Sequence, residues 1–324
     1  MIYLATNEGL VVGEKDGEAG WRVVRRGLEG KRVTSVIARE GAILAGTRDG
    51  IFRSDDGGLT WREATVGLTH RLVRWIAFRP DVSDFEFAGT EPAGIFLSED
   101  GANSWREIPE VARLRDEHHW FLPYSPEAGC VRGFAFYGSR AYAAVEVGGV
   151  LRSDDGGYHW DLAAGSDGNP DLKGPPEPFI YPDLHSIEVH PSSADLVLAP
   201  TGGGFYRSTD GGATWKLLYD CYVRAVWLDP AVPKHFLLGP ADHVERNGRI
   251  EESVDGGATW QPASGGLNVP WPHHMVERFT RIGDDLLAVL SNGQLLAAPV
   301  GRWEWRAIFP DVAGINAVTE EVNV

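Results

Sequence analysis

The sequence predicts an all-β fold, a seven-bladed β-propeller of four-stranded antiparallel blades. Three observations carry that prediction: a short motif recurs along the chain, strand-like runs dominate, and the two chain ends complement one another. The motif reads SDDGGLTW at Ser54–Trp61 and returns as SEDGANSW, SDDGGYHW, STDGGATW and SVDGGATW, ending at Trp105, Trp160, Trp215 and Trp260. A degenerate copy, GEKDGEAGW, ends at Trp21, and VGRWEWRAI places Trp305 where a further copy would end, giving seven units.

Each unit divides in the same way. The runs RLVRWIAFRP, FEFAGT, GIFLSED and SWREI are short, β-branched or aromatic, and separated by Gly, Asp or Pro, the pattern of a four-stranded meander. Helical periodicity is nearly absent. The first unit starts at IYLAT, which matches the second strand of the others, while GINAVTEEV near the C-terminus matches the missing first strand. The last strand is therefore expected to complete the first blade, closing the ring and removing exposed edges. The expectation is one propeller domain over residues 1–324.

Composition narrows the function. A hydrophobic content of 43% with 12 Trp supplies a core, and a net charge of −16 disfavours nucleic acid and anionic membrane as partners. No apolar run is long enough to span a bilayer and MIYLATNEGL has no leader pattern, so a cytoplasmic location is expected. Cys130 and Cys221 make no metal or redox spacing and are expected to be reduced packing thiols.

The Ser-x-Asp-x-Gly-x-x-Trp pattern resembles the Asp-box, or BNR, repeat of sialidase-like, sortilin-like and photosystem II assembly factor-like propellers, and of xyloglucan-hydrolysing enzymes. Its copies cover nearly the whole chain. The resemblance implies that the motif joins the third and fourth strands at the periphery, on the face opposite the binding face. Elementary chemistry agrees: Gly supplies positive φ, Asp and Ser bond turn amides, and Trp anchors the outer strand. The motif is thus expected to lock a hairpin. Proteins sharing the repeat perform unrelated tasks, and no Phe/Tyr-Arg-Ile-Pro signature of the sialidases is present, so function must be argued from the other face.

That face receives the long insertions PEVARLRDEHHWFLPYSPEAGC, AAGSDGNPDLKGPPEPFIYPDLHS and ASGGLNVPWPHHM, with GPADHVERNGRI added. Long insertions in a compact domain are commonly functional, and these carry aromatic residues and histidines suited to ordered lids. Aligning the first strands puts Arg74, Arg132, His185 and Arg224 in one column, with Thr34, Glu277 and Asn316 in the remaining blades. Arginines in one ring repel unless neutralised, either by a bound carboxylate or phosphate or by protein acids such as Glu91, Glu146 and Glu277. Both readings stay open at this point.

Glu91 in GTEPAG and Glu146 in VEVGG occupy equivalent positions, whereas TGGG (Thr201 to Gly204) leaves a gap beside His185. His118, His119, His185, His273 and His274 are expected on this face, joined by His243. The candidate catalytic residues are Glu91, Glu146, His119, His185 and His274; the candidate ligand contacts are Arg74, Arg132, Arg224, Glu277, Trp120 and Trp271. A divalent metal, if held, would take His119, His185 and His274, assembled from separate blades because no compact metal spacing occurs. The functional expectation is a lidded pocket for a small anionic or polyhydroxylated molecule, acting as a glycoside-hydrolase-like hydrolase or lyase. The alternative is a non-catalytic propeller that holds a peptide or small ligand.

Overall fold

The computed structural model describes residues 1–17, 20–125 and 128–322, and its strands gather into five four-stranded antiparallel blades and one eight-stranded sheet. The expectation of seven separate blades is corrected by that eight-stranded sheet. In it the C-terminal strand Ile315–Val322 pairs antiparallel with Ile2–Thr6 on one side and parallel with Val33–Arg39 on the other. The parallel contact is short, joining Glu321 to Ala38 and Val322 to Arg39, and is extended by Glu40 N–H to Val322 O at 3.2 Å. It fuses into one sheet what the repeat alone divides into two units. Repetition of a motif counts hairpins, but sheet boundaries depend on where neighbouring backbones meet.

The four-stranded blades follow in chain order, beginning at Leu72–Phe78, Cys130–Tyr137, Glu188–Val189, Tyr222–Leu228 and Val276–Ile282. Aromatic packing between blades builds the core. Phe87 stacks on Phe136 with ring centroids 5.4 Å apart, and Trp160, 1% exposed, meets Phe87 edge-on. Burial on this scale is the main driving force for the fold.

The recurring motif forms hydrogen-bonded hairpin locks. Ser153 Oγ donates to Asp155 Oδ1 at 2.8 Å and accepts from Gly157 N–H at 2.9 Å, while Asp155 Oδ1 also accepts from the Tyr158 and His159 amides at 3.1 Å. The same arrangement recurs at Ser54 and Asp56, at Ser208 and Asp210, and at Ser253 and Asp255. Some tryptophans then reach a neighbouring sheet: Trp105 Nε1 donates to Ala64 O and Trp305 Nε1 to Ala263 O, each at 2.9 Å. These groups are fully occupied in holding turns and neighbouring sheets together.

The first insertion holds a helix, Pro109–His118, that the strand-like pattern of the chain hides. Proline at its start, Glu110 in the first turn and His119 in the left-handed C-cap delimit it, and it buries Val111 and Leu114. Among the described residues no helix is long and apolar enough to cross a membrane.

Candidate functional site

Strand register separates the two ends of a blade. Leu72 pairs with Glu91 at one end of the first four-stranded blade, whereas Phe78 and Ser98 both pair with Glu86 at the other. Cys130 with Glu146, and Ala141 with Ser153, repeat the pattern in the next blade. Glu91 and Glu146 therefore lie at the end opposite the Ser-Asp turns.

At that end most innermost strands break their ladders at one place. The register shifts fall between Val33 and Ser35, Val73 and Trp75, Val131 and Gly133, Val223 and Val226, and Val276 and Arg278. The unpaired residues include Thr34, Arg74, Arg132, Arg224 and Glu277, most of the column the sequence alignment singles out. Asn316 is skipped likewise, where Ala5 faces Ala317 but Thr6 faces Ile315. A bulge re-aims a side chain that regular pleating would commit to one sheet face. Thr34, Arg74, Arg132, Glu277 and Asn316 accordingly line one central cavity of about 300 Å³. His185 lies just before its strand, its N–H bonded to Pro200 O at 3.1 Å.

Protein acids neutralise the three column arginines. Arg74 Nε donates to Glu91 Oε2 at 2.6 Å, Arg132 Nη1 to Glu146 Oε2 at 2.8 Å, and Arg224 Nη1 to Glu277. Glu146 also accepts from the Tyr124 hydroxyl and from Cys130 Sγ at 3.2 Å. Burial alone would raise its carboxyl, but Arg132 foremost, with the Tyr124 and Cys130 donors, brings it down to about 2. Glu146 is thus an ionised anchor.

A third acid completes the group. Oxygens of Glu146 and Asp183 and a nitrogen of His185 lie within 4.8 Å of one another. Arg132 Nη1 stands 3.2 Å from His185 Nδ1, and because guanidinium only donates, Nδ1 accepts and the ring proton resides on Nε2. That Nε2–H faces Asp183 Oδ2 at 3.5 Å. Burial, then Arg132, drives the His185 pKa far below its ordinary value, so the ring is neutral. Burial, then the nearby Glu146 charge, pushes Asp183 up to about 7. The donor set does not fit a divalent metal as arranged, since Arg132 already occupies the His185 and Glu146 lone pairs and brings its own positive charge.

Asp183 opens onto a second cavity of about 850 Å³, whose walls include Tyr124, Tyr181, Tyr222, Arg224 and His243. The second insertion contributes Leu172, Tyr181 and Asp183 to this wall. Pro182 O accepts from Gly148 and Gly149 N–H at 3.1 Å, and Gly202 N–H donates to Asp183 O at 2.9 Å. The gap expected at Gly202 and Gly203 is filled by this insertion, with Asp183 over the first glycine and the Tyr181 ring over the second.

The remaining candidates lie elsewhere. Trp120 is buried, donates to Gly168 O at 2.9 Å and stacks on His118; Trp271 is buried and stacks on His274 at 5.0 Å. His119 caps the helix, exposed, and neither His119 nor His274 lines the two cavities described above. Burial and neighbouring His273 lower the His274 pKa. Sequence reasoning misses Asp183, although YPDLHS places it two residues before His185; its signal is an acid in an aromatic insertion.

The BNR/Asp-box repeat family matches residues 206–217. No curated protein matches the chain by sequence. Among solved structures, the GH74 xyloglucanase from Xanthomonas campestris is similar with a TM-score of 0.63 at 16% identity, over 86% of this chain and 45% of that one. An ancestral GH74 enzyme aligns over 98% of this chain and 39% of its own, at 18% identity and a TM-score of 0.62. The chain thus spans less than half the length of either enzyme. YCF48 bound to D1 peptide aligns over 96% of this chain and 89% of its own, with 17% identity and a TM-score of 0.61. Together with the repeat, these likenesses define a β-propeller of BNR type.

Proposed function

We propose that the larger cavity binds a small polyhydroxylated molecule and that Asp183 transfers a proton to it, making the protein a glycoside-hydrolase-like enzyme. The observation supporting this reading is the Asp183 carboxyl, which lines the cavity, sits near neutrality at about 7, and has His185 Nε2 3.5 Å from its Oδ2. A carboxyl with that value is protonated part of the time at neutral pH and suits general acid work. Burial, then ionised Glu146 beside it, favours the protonated form of Asp183, and Arg132 holds both Glu146 and the His185 tautomer. Tyr124, Tyr181 and Tyr222 offer ring faces to a sugar-like ligand, while their hydroxyls bond Glu146, Leu172 O and Arg224.

The test is turnover of a panel of aryl glycosides and oligosaccharides by the parent protein and by Asp183→Asn. Parent activity that falls by at least about a hundredfold in the variant supports the proposal. Equal rates in both proteins overturn it. A second reading, peptide binding without turnover, is favoured by the exposed apolar rim of Tyr124, Leu172 and Val244 on the same cavity. YCF48 in the structure similar to this chain is bound to a peptide. Saturable peptide binding with no turnover of any glycoside would select that reading.

A further inference from the structure

The smaller, central cavity has a charge balance unlike that of its neighbour. Among the described residues five arginines line it, Arg32, Arg48, Arg74, Arg132 and Arg278, against Glu277 as the one acid in its wall. Arg74 and Arg132 are neutralised by Glu91 and Glu146. Arg32, Arg48 and Arg278 have no ion pair among the described residues. Arg278 crosses the channel, its guanidinium 3.6 Å from the Trp75 ring centroid and its Nη2 donating to Arg132 O at 2.9 Å, so it forms a cationic floor. Arg32 and Arg48 are exposed on the lining. Burial, then Arg132, lowers the Arg278 pKa to about 9; burial, then Arg48 and Arg74, lowers Arg32. Burial is the larger cause in both, the neighbouring arginines add to it, and at Arg278 Glu277 and Glu188 offset part of it.

A chain with a net charge of −16 has acids to spare, yet among the described residues none comes within ion-pair distance of these three groups, and Glu277 and Glu188 act on Arg278 only from farther away. The side-chain amides of Asn7 and Asn292 add hydrogen-bonding capacity to the same wall. We infer that this cavity is a binding site for a small, multiply charged oxyanion, held by Arg32 and Arg48 above and by Arg278 below. Guanidinium forks match the oxygen geometry of phosphate or of clustered carboxylates, and a cavity of about 300 Å³ admits such an ion but not a chain of sugars. The site is separate from the proton-transferring cavity, although Arg74 and Arg132 form part of both walls.

The test is titration calorimetry and thermal unfolding of the whole chain with inorganic phosphate and, in a second arm, with citrate, against chloride at matched ionic strength. Saturable binding of either probe by the parent is expected, weakened about tenfold or more in the Arg32→Gln/Arg48→Gln variant. Tighter phosphate binding assigns a tetrahedral anion, and tighter citrate binding a polycarboxylate. Arg281→Gln, at an exposed arginine whose Nε bonds Gly283 O, should bind like the parent. Because Arg32 and Arg48 are exposed, the double variant retains the fold. Equal affinity in parent and double variant, or equal stabilisation by chloride, overturns the inference. Asp183→Asn should leave phosphate binding intact, so failure here and failure of the proton-transfer reading are separable.

Discussion

Asp183→Asn tests the electrostatics of the site without recourse to a substrate. Asparagine preserves shape and removes the ionisation. In the folded protein the Asp183 carboxyl titrates at about 7, against 3.8 when free. Below 3.8 both folded and unfolded chains keep the proton, and the group has no net effect. Between the two values the folded chain retains a proton that the unfolded chain releases, so stability falls as pH rises and levels off above about 7. Each pH unit is worth about 1.4 kcal/mol, so the full span amounts to roughly 4 kcal/mol, an upper value for a side chain 17% exposed. Urea unfolding of parent and variant from pH 4 to 8 should show the parent losing stability relative to Asp183→Asn by about 2–4 kcal/mol. Glu86 and Glu188, each raised to about 7 chiefly by burial, titrate in the same window but cancel in the difference. A difference that is flat with pH would refute both the raised value and the acid role built on it.

Other outcomes follow from the same contacts. If Asp183 is the proton donor, parent turnover should decline as pH rises through about 7, and a rate that keeps climbing to pH 9 would contradict it. Arg132→Gln strands a buried, ionised Glu146 and should destabilise the fold by about 3–5 kcal/mol in urea; adding Glu146→Gln should recover much of the loss. Trp160→Ala empties a buried aromatic site and should lower stability by about 3–5 kcal/mol. Asp155→Ala removes the acceptor of its hairpin amides and should lower the melting temperature while activity survives in folded protein; folded but inactive protein would contradict the structural role.

Much of the strand organisation is legible in the sequence because its cause is local. Alternating apolar runs and the Ser-x-Asp-x-Gly turn determine hairpins within a few residues, and alignment of the first strands by their apolar pattern alone brings Arg74, Arg132, Arg224 and Glu277 into one column. The division into blades is not legible, because the parallel contact of Glu321 and Val322 with Ala38 and Arg39 joins residues from opposite ends of the chain. The acid–base assignment moves for a similar reason. Glu91 and Glu146 stand out by equivalence, but a carboxylate's value depends on what faces it, and arginines face both. Asp183 acquires its role from an insertion folding over Gly202, a contact no periodicity encodes. Trp120, Trp271, His119 and His274 share an insertion-rich region, yet helix capping and core packing take them from the cavities.

The bulges on the innermost strands bear on how such a protein changes over time. A residue inside a regular ladder is tied to its cross-strand partner, so altering it disturbs pairing and packing together. The skipped residues at Thr34, Arg74, Arg132, Glu277 and Asn316 have no such partner. Exchanging one of them leaves the cross-strand ladder in place, and its cost falls instead on side-chain partners such as Glu91 for Arg74 and Glu146 for Arg132. One scaffold can therefore exchange the chemistry around its channel without touching the hairpin locks, provided that an arginine and its acid, such as Arg132 and Glu146, change together.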